Sequence, residues 1–508
     1  MNATFTGINI ATRGLAVSQA SISVTTNNQS NANTTGYSRQ VVKQNAVGAA
    51  AVYAGSAILG NGVQVTSVDQ IRDTRLDQRY WQENTRSGEW SSEASALTEL
   101  ESVLDDSSSS NTFSTTFNNF YSGLEDLENN PSDSSTRTSV RSYGEAICQY
   151  LNDSSSRLED MRKDENSMVK TDVDEINSYA RQIADLNAAI SGGAGSGANI
   201  NSLKDQRNVL IDKLSNLTGI IVTTTKTDST TISINGTILV DGGDAKELTV
   251  IQDSSNDGMY KIQWKDTGND FTPAGGELKA ALDLRDSDGS NSTNKGIPYY
   301  INQLNKFAQT LAKAFNEGVL AGETSANASY SGHAGGETAN NTTGIRFFSY
   351  NNTSSGDLKS EISSNGMDAA YEKITAANIT LSSDIEDDVN NIAAASSSGG
   401  SSNSDNVSQL ISLLKDSKMF NSGTPEDFYN SIISTLSTDS ATAQRRESNA
   451  SSTVKSIDDQ RTSVSGVDSN EETANLTKYQ SAYTACAKMV EVWNELLQKT
   501  IDMIDTTA

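Results

Sequence analysis

The sequence predicts a mainly α, multidomain α+β chain: paired terminal helices, a long-helix bundle, and a small outer β domain inserted into that bundle. Three observations predict it. Apolar residues recur every seven positions at both ends, as Ile8, Leu15 and Ile22 and as Leu476, Tyr483, Val490, Leu497 and Ile504. Helical periodicity then fills about 68 to 218 with few breaks. Between 219 and 275 the apolar period drops to two, and Thr231 to Val240 read as a strand, the turn Asn235-Gly236 and a second strand.

In the C-terminal stretch Tyr479, Cys486 and Trp493 fill the offset between the heptad residues and complete an a/d seam on one helix. A seam of this kind needs a covering partner. The N-terminal helix supplies one, with Ala11 and Ser18 as small packing surfaces between its aliphatic residues, so the two chain ends are expected to pair. Thr25 to Gln40 follow, rich in Asn and Thr, with a Gly-Tyr at Gly36-Tyr37. Gly55 to Val68 carry an Asn-Gly turn at Asn61-Gly62 with Val63 and Val65 alternating behind it, which reads as a small hairpin.

A long proline-free helix is expected from Val68 through Leu104, then a loop over 105 to 111. Phe113, Phe117, Phe120, Leu124 and Leu127 form the apolar stripe of the next helix, stopped by Asn129-Asn130-Pro131; such a stripe is core. Val140 to Ile190 describe one very long helical region ending at Ser191 to Gly197, and Leu203 to Leu217 one more helix. Within the β stretch, Leu248 and Val250 pair with Tyr260, Ile262 and Trp264 around Asn256-Asp257-Gly258. Helical periodicity returns at Gly276 and after Pro298, while 321 to 402 is Ser, Asn, Gly and Thr rich and reads as an irregular outer subdomain or loops. Thr424-Pro425-Glu426-Asp427 opens the helix that leads back to the C-terminal one.

Composition excludes several functions. A chain of 508 residues with 38 basic and 64 acidic side chains, net −26, is a poor partner for nucleic acid or an anionic membrane. Two cysteines, Cys148 and Cys486, make no disulfide framework, and the single histidine, His333, leaves no material for a zinc site or a histidine-based triad. Asp283, Asp286 and Asp288 lack the spacing of a calcium loop. No cofactor, metal or catalytic residue is expected, and no membrane insertion, because no apolar run of spanning length occurs. The N-terminus has no basic n-region followed by an apolar stretch, so no cleaved signal peptide is expected.

Two stretches carry a resemblance. The N-terminal helix followed by TNNQSNANTTGYSRQ and then LGNGVQVTSVDQIRDTRLDQ, together with Ser465 to Ile504, resembles the bacterial flagellar axial proteins. The resemblance covers about the first 80 and last 45 residues, in the same order. It implies a structural subunit, not an enzyme, of the class that joins hook to filament, with a hook or distal rod component or a surface-exposed adhesin as alternatives. It further implies export without a cleaved signal to an extracellular, flagellar location. The implied partners are other copies in a ring or helical layer, the hook protein, hook-associated protein 3 and a flagellar export chaperone.

The expected domains are 1–67 with 465–508 as the terminal axial domain, 68–218, 276–320 and 403–464 as the bundle, 219–275 as the β domain, and 321–402 as the irregular part. The β domain is expected farthest from the termini. Ile8, Leu15, Ile22, Leu476, Tyr479, Tyr483, Val490, Trp493, Leu497 and Ile504 are the candidate subunit-interaction seam, and Asn28, Asn31, Asn33, Gly36, Tyr37 and Arg39 the candidate joint between terminal and helical domains. A lone seam is not buried by a monomer, so the ends are expected to order only against neighbouring subunits.

Overall fold

The computed structural model describes residues 2–48, 50–51, 58–104, 112–194, 200–225, 228–290, 294–396, 400 and 402–505. The loop read over 105 to 111 lies outside them. Helix α1 (Asn2–Ser30) leads into strands β1 (Gln40–Ala46), β2 (Ala50–Ala51), β3 (Ile58–Leu59) and β4 (Val63–Gln70). β1 pairs antiparallel with β4, from Gln40 opposite Gln70 to Ala46 opposite Val63, and β2 with β3. The four strands are thus one long ribbon. Asn61-Gly62 is not a hairpin turn, because the partner of β4 lies upstream in a stretch, QVVKQNA, too polar to announce a strand. The ribbon also takes the residues expected to begin the next helix, which starts at Thr74.

Helix α2 (Thr74–Leu104) runs outward from the termini, α3 (Phe113–Asn129) turns at the far end, and α4 (Ser134–Ala194) runs all the way back. At 1.5 Å rise per residue, the 61 residues of α4 span roughly 90 Å. Helix α5 (Asn201–Leu217) starts outward again. It is followed by the sheet β5 (Ile221–Thr224), β6 (Thr230–Ile234), β7 (Thr237–Asp241) and β8 (Asp244–Ala245), in that order, and by the hairpin β9 (Leu248–Asp253) and β10 (Met259–Trp264). Asn235 and Gly236 take positive φ between β6 and β7, as the Asn-Gly signal predicts.

The β unit is not farthest from the termini. It packs on the returning half of α4 and on α5, sharing a core of Val173, Ile176, Ile183, Ile211, Ile232, Leu239 and Trp264 that reaches Trp81 near the start of α2. The reason is chain direction: α4 delivers residue 194 back to the base before the β unit begins. Two buried asparagines of α4 hold it. Asn177 donates to Leu248 O (2.9 Å) and accepts from Leu248 N (2.8 Å), and Asn187 donates to Thr230 O and Gly242 O (2.8 and 2.9 Å).

Helices α6 (Glu277–Asp286) and α7 (Ile297–Glu317) climb outward again, and the chain then forms α8 (Gly332–Gly335), β11 (Glu337–Thr338), β12 (Phe348–Tyr350), α9 (Ser355–Asn365), α10 (Met367–Tyr371), β13 (Ile379–Leu381), α11 (Ser383–Asp387) and β14 (Ala393–Ala395). The stretch expected to be irregular or looped folds onto the bundle. Phe347, Phe348, Leu358, Tyr371 and Ile374 enter one core with Phe120, Leu124, Leu151, Phe307 and Phe315. Asn316 positions it, donating to Phe348 O (2.7 Å) and accepting from the amides of Phe347 and Phe348. His333 is a core residue here: it lies 2.8 Å from Ile345 O through Nδ1 and accepts from Ala393 N through Nε2, and burial pushes its pKa down to about 4.

Helix α12 (Asp405–Leu414) closes that end, and α13 (Pro425–Ser465) returns to the base, opened by a capping box in which Thr424 and Asp427 exchange hydrogen bonds. α13 lies antiparallel along α2. Ser437 reaches Glu101 (2.7 Å), Gln444 reaches Thr98 (3.2 Å), the Arg446 guanidinium stacks 4.6 Å over Trp90, and Arg461 stacks 4.1 Å over Tyr80. The last helix, α14 (Ser469–Asp505), pairs with α1.

Between α2, α4 and α6 lies a cavity of about 530 Å3 lined by Ser91, Ser95, Glu99, Glu165, Asn216 and Glu277. Burial, with Glu99, Asp164 and Glu277 nearby, pushes the Glu165 carboxyl up to about 7, and burial beside Glu277, Glu175 and Glu165 does the same for Asp172. In the unfolded chain these groups release their protons near pH 4. Their contribution to stability is therefore full below pH 4 and lost as pH rises through 7. Urea unfolding should show a higher midpoint at pH 5 than at pH 8, and Asp172→Asn should raise stability at pH 8 by on the order of 2 kcal/mol while flattening the pH dependence.

Candidate assembly site at the chain termini

Helices α1 and α14 pair antiparallel with small residues of α1 under large ones of α14. Gly7 receives the Trp493 ring so closely that no Cβ fits there, and a Cβ on Gly14 would lie 2.9 Å from Cys486 Sγ. Seven residues farther on, the same step sets Ser21 opposite Tyr479, and seven more bring Asn28 to Glu472, with Asn28 Nδ2 3.1 Å from Glu472 Oε2. The buried positions of α1 are mostly small or polar, Ala11, Ser18, Ser21, Thr25 and Asn28, with Val17 as a larger aliphatic among them. Ile8, Leu15 and Ile22 flank this face and are half-buried. On the other helix Leu476, Tyr479, Val490, Trp493 and Leu497 are half-buried and Tyr483 is at the exposed limit; the Ile504 side chain lies outside the described residues.

α1 is covered a second time, by the β1–β4 ribbon, whose Gly62 sits against the backbone of Ile10. α14 is not. About 100° round from its seam runs a second stripe at alternating spacings of three and four, Ala482, Ala485, Met489, Val492, Leu496, Lys499 and Met503. Its large members are open to solvent, Met489 at 58%, Val492 at 52%, Leu496 at 46% and Met503 at 71%. The sequence reading missed this stripe, although its spacing is as regular as that of the seam.

At the base, the candidate joint residues converge unequally. Asn28, 1% exposed, uses all four of its hydrogen-bonding capacities. Nδ2 donates to Gln40 O and Glu472, while Oδ1 accepts from the Tyr37 hydroxyl (2.8 Å) and Gln40 N (3.0 Å). Arg39 donates through Nε to Glu472 (2.8 Å) and through its terminal nitrogens to Glu471 (2.7 and 3.1 Å), and its amide donates to Ser465 O. Burial, with Asp205 nearby, pushes the Tyr37 hydroxyl up to about 12, so it remains a donor at neutral pH. Gly36, at φ +78°, lies flat against Val209 of α5. Asn31 donates back to Asn27 O at the end of α1, whereas the Asn33 side chain is exposed.

Sequence reasoning missed the partners that tie this joint to the bundle. Arg461 of α13 bridges Asp77 (3.0 Å) and Asp212 (3.0 Å), Asp77 also pairs with Arg72 (2.8 Å), and Trp81 donates to Asp212 (2.6 Å). Arg72, Asp212 and Arg461 border a cleft of about 1150 Å3 between the 32–39 loop and the Gly466 to Asp468 connection. Among the described residues no cluster of His, Cys, Asp or Glu has the arrangement of a metal site, and no helix is long and apolar enough to cross a membrane.

The comparisons with known proteins agree along the whole chain. The model of the flagellar hook-associated protein FlgK helical domain matches residues 97–348, and that of the flagellar basal body rod FlgEFG protein C-terminal region matches 459–503. Flagellar hook-associated protein 1 of Bacillus subtilis is 29% identical over 99% of both chains. The chain belongs to the flagellar hook-associated protein 1 family. The protein of that name from Escherichia coli is 25% identical over 98% of this chain and 99% of its own. The solved flagellar hook junction protein FlgK from Burkholderia pseudomallei, 15% identical, shares the fold with a TM-score of 0.60 over 76% of this chain and all of its own. The chain is therefore a structural part of the flagellum and not an enzyme.

Because Arg461 bridges the carboxylates of Asp77 and Asp212, and only Asp77 has a second guanidinium, that of Arg72, against it among the described residues, Arg461→Ala should destabilise the helical body by about 3 kcal/mol in urea titration. Loss of less than about 1 kcal/mol would mean that Asp77 and Asp212 are held by their other partners alone.

Proposed function

We propose that this chain is the subunit that joins hook to filament, and that it assembles through the second apolar stripe of α14. The observation that carries the reading is that stripe, a row of large apolar side chains facing solvent on a helix whose other seam is already occupied by α1. Burying Met489, Val492, Leu496 and Met503 against neighbouring copies contributes roughly 1.5 to 3 kcal/mol each. That gain adds to the burial within the α1–α14 seam, which by itself must meet an ordering cost of about 1 to 2 kcal/mol per residue, so in this reading folding of the ends is completed on assembly.

Support also comes from the relatives, which are hook-associated proteins, and from the hook junction protein that shares the fold. In this reading the chain leaves the cell without a cleaved signal, held by an export chaperone. It then self-associates in a ring or helical layer between the hook protein on one side and hook-associated protein 3 on the other. The seam residues Trp493, Val490 and Leu497 act indirectly, by holding α14 on α1 so that the second stripe points outward. Asn28, Tyr37 and Arg39 set the angle at which the pair leaves the bundle.

Deleting the gene should leave complete hooks without filaments and release flagellin into the medium; missing hooks would move the chain to the hook or rod, and normal filaments would reduce it to an accessory. Met489→Asp or Leu496→Asp should abolish incorporation while the monomer keeps its circular dichroism spectrum and urea midpoint. Normal incorporation of both variants would refute the stripe as the assembly surface.

A further inference from the structure

The steric pattern between α1 and α14 repeats. Gly7, Gly14 and Ser21 are all small and stand seven residues apart, opposite Trp493, Cys486 and Tyr479. If α14 slides one heptad along α1, Trp493 comes over Gly14 and Cys486 over Ser21. A slide the other way brings Cys486 over Gly7 and Tyr479 over Gly14. In either case a large side chain meets a small one, so packing alone accepts three registers.

One station does not repeat. Asn28 and Glu472, 1% and 2% exposed, face each other with every Asn28 capacity filled and with Arg39 on the other Glu472 oxygen. One heptad of slip would put Tyr479 or a residue beyond the helix opposite Asn28, and would leave the Glu472 carboxylate buried without the Arg39 guanidinium. A buried polar pair loses far more from mispairing than an apolar contact does, which is why a single polar position can select one register among several of similar packing.

We infer that Glu472, held by Asn28 and Arg39, is the register-specifying residue of the terminal helix pair, choosing one of three sterically equivalent alignments of α14 on α1. It is a positioning residue. It fixes how far the outward stripe stands from the elbow, and thereby the height at which one copy meets the next. The inference rests on the α1–α14 pairing used in the proposed function. The sequence shows the degeneracy once the glycines are noticed, but only the structure supplies the pin, because Arg39 and Glu472 are 433 positions apart.

The resident Cys486 reports the register directly. A Cβ at position 14 would lie 4.0 Å from Cys486 Cβ, within the range a disulfide spans, while position 21 comes into range only after a slip of one heptad. The other cysteine, Cys148, is buried in the bundle and takes no part. Gly14→Cys and Ser21→Cys would be made separately in the full-length chain, and intramolecular linkage to Cys486 measured under mild oxidation, in free subunits and in isolated flagella.

With the pin intact, Gly14→Cys should link at least ten-fold more than Ser21→Cys. Adding Glu472→Leu, or Asn28→Leu, should bring the two yields to within about three-fold of each other. An undiminished preference in both backgrounds would overturn the inference and assign the register to the Gly466 to Asp468 connection. Absence of the Gly14→Cys link with the pin intact would overturn the helix pairing itself, and the proposed function with it. A variant too impaired to enter flagella is still read in the free subunit, where oxidation traps the helix pair each time it forms transiently and the same ratio applies.

Discussion

Two helices cover only one face of each other, and α14 carries apolar residues on two. The rest of the terminal region follows from that constraint. α1 escapes it, because the β1–β4 ribbon folds back along its second face and the side chains it turns toward α14 are glycine, alanine, serine and threonine. α14 has no such cover, and Met489, Val492, Leu496 and Met503 stay in water for as long as the chain is alone. An exposed stripe of this regularity is a cost to solubility that a monomeric protein would have little reason to keep. In the function proposed above it is the surface along which copies meet.

The bundle supplies the opposite quality. α2 and α13 run side by side from the far end to the base and finish on a compact electrostatic knot in which Arg461 lies between Asp77 and Asp212 and over the Tyr80 ring. The chain passes from that knot to the terminal pair twice, once through Ser38 and Arg39 and once through Gly466 to Asp468. Arg39 ties the two passages together, by its amide to Ser465 and by its guanidinium to Glu471 and Glu472. A long helical lever is thus joined at a single elbow to a helix pair whose outer stripe is uncovered.

Much of this was legible in the residues. Phe113 to Leu127, the long run from Val140 to Ile190, the Asn235-Gly236 hairpin and the Thr424-Asp427 box announce their elements because periodicity and caps are local signals. The non-local features were not. β1 is a polar stretch whose partners lie 17 (Ala46 to Val63) to 30 (Gln40 to Gln70) residues away, the direction of α4 decides where the β unit sits, and Asn316 satisfies the backbone of Phe347-Phe348 where they enter the core. At the termini the sequence yields the seam, Asn28, Tyr37 and Arg39, but not Glu472, nor the glycines that receive Trp493 and Cys486. A residue chosen for smallness leaves no mark on a hydrophobic pattern. The second stripe was legible in principle, since its spacing is regular, and was overlooked because one seam already explained the helix.

Hydrogen exchange across residues 2–30 and 469–505, compared between the free subunit and isolated flagella, decides whether the terminal helices are ordered before or only after assembly. If folding of the termini is completed by neighbours, their amides exchange within seconds in the free chain and are protected by several orders of magnitude after assembly, while α2, α4 and α13 are protected in both. Terminal amides already protected in the free subunit to the level of α4 would contradict the account, and would make the α1–α14 pair an ordinary part of a self-sufficient core.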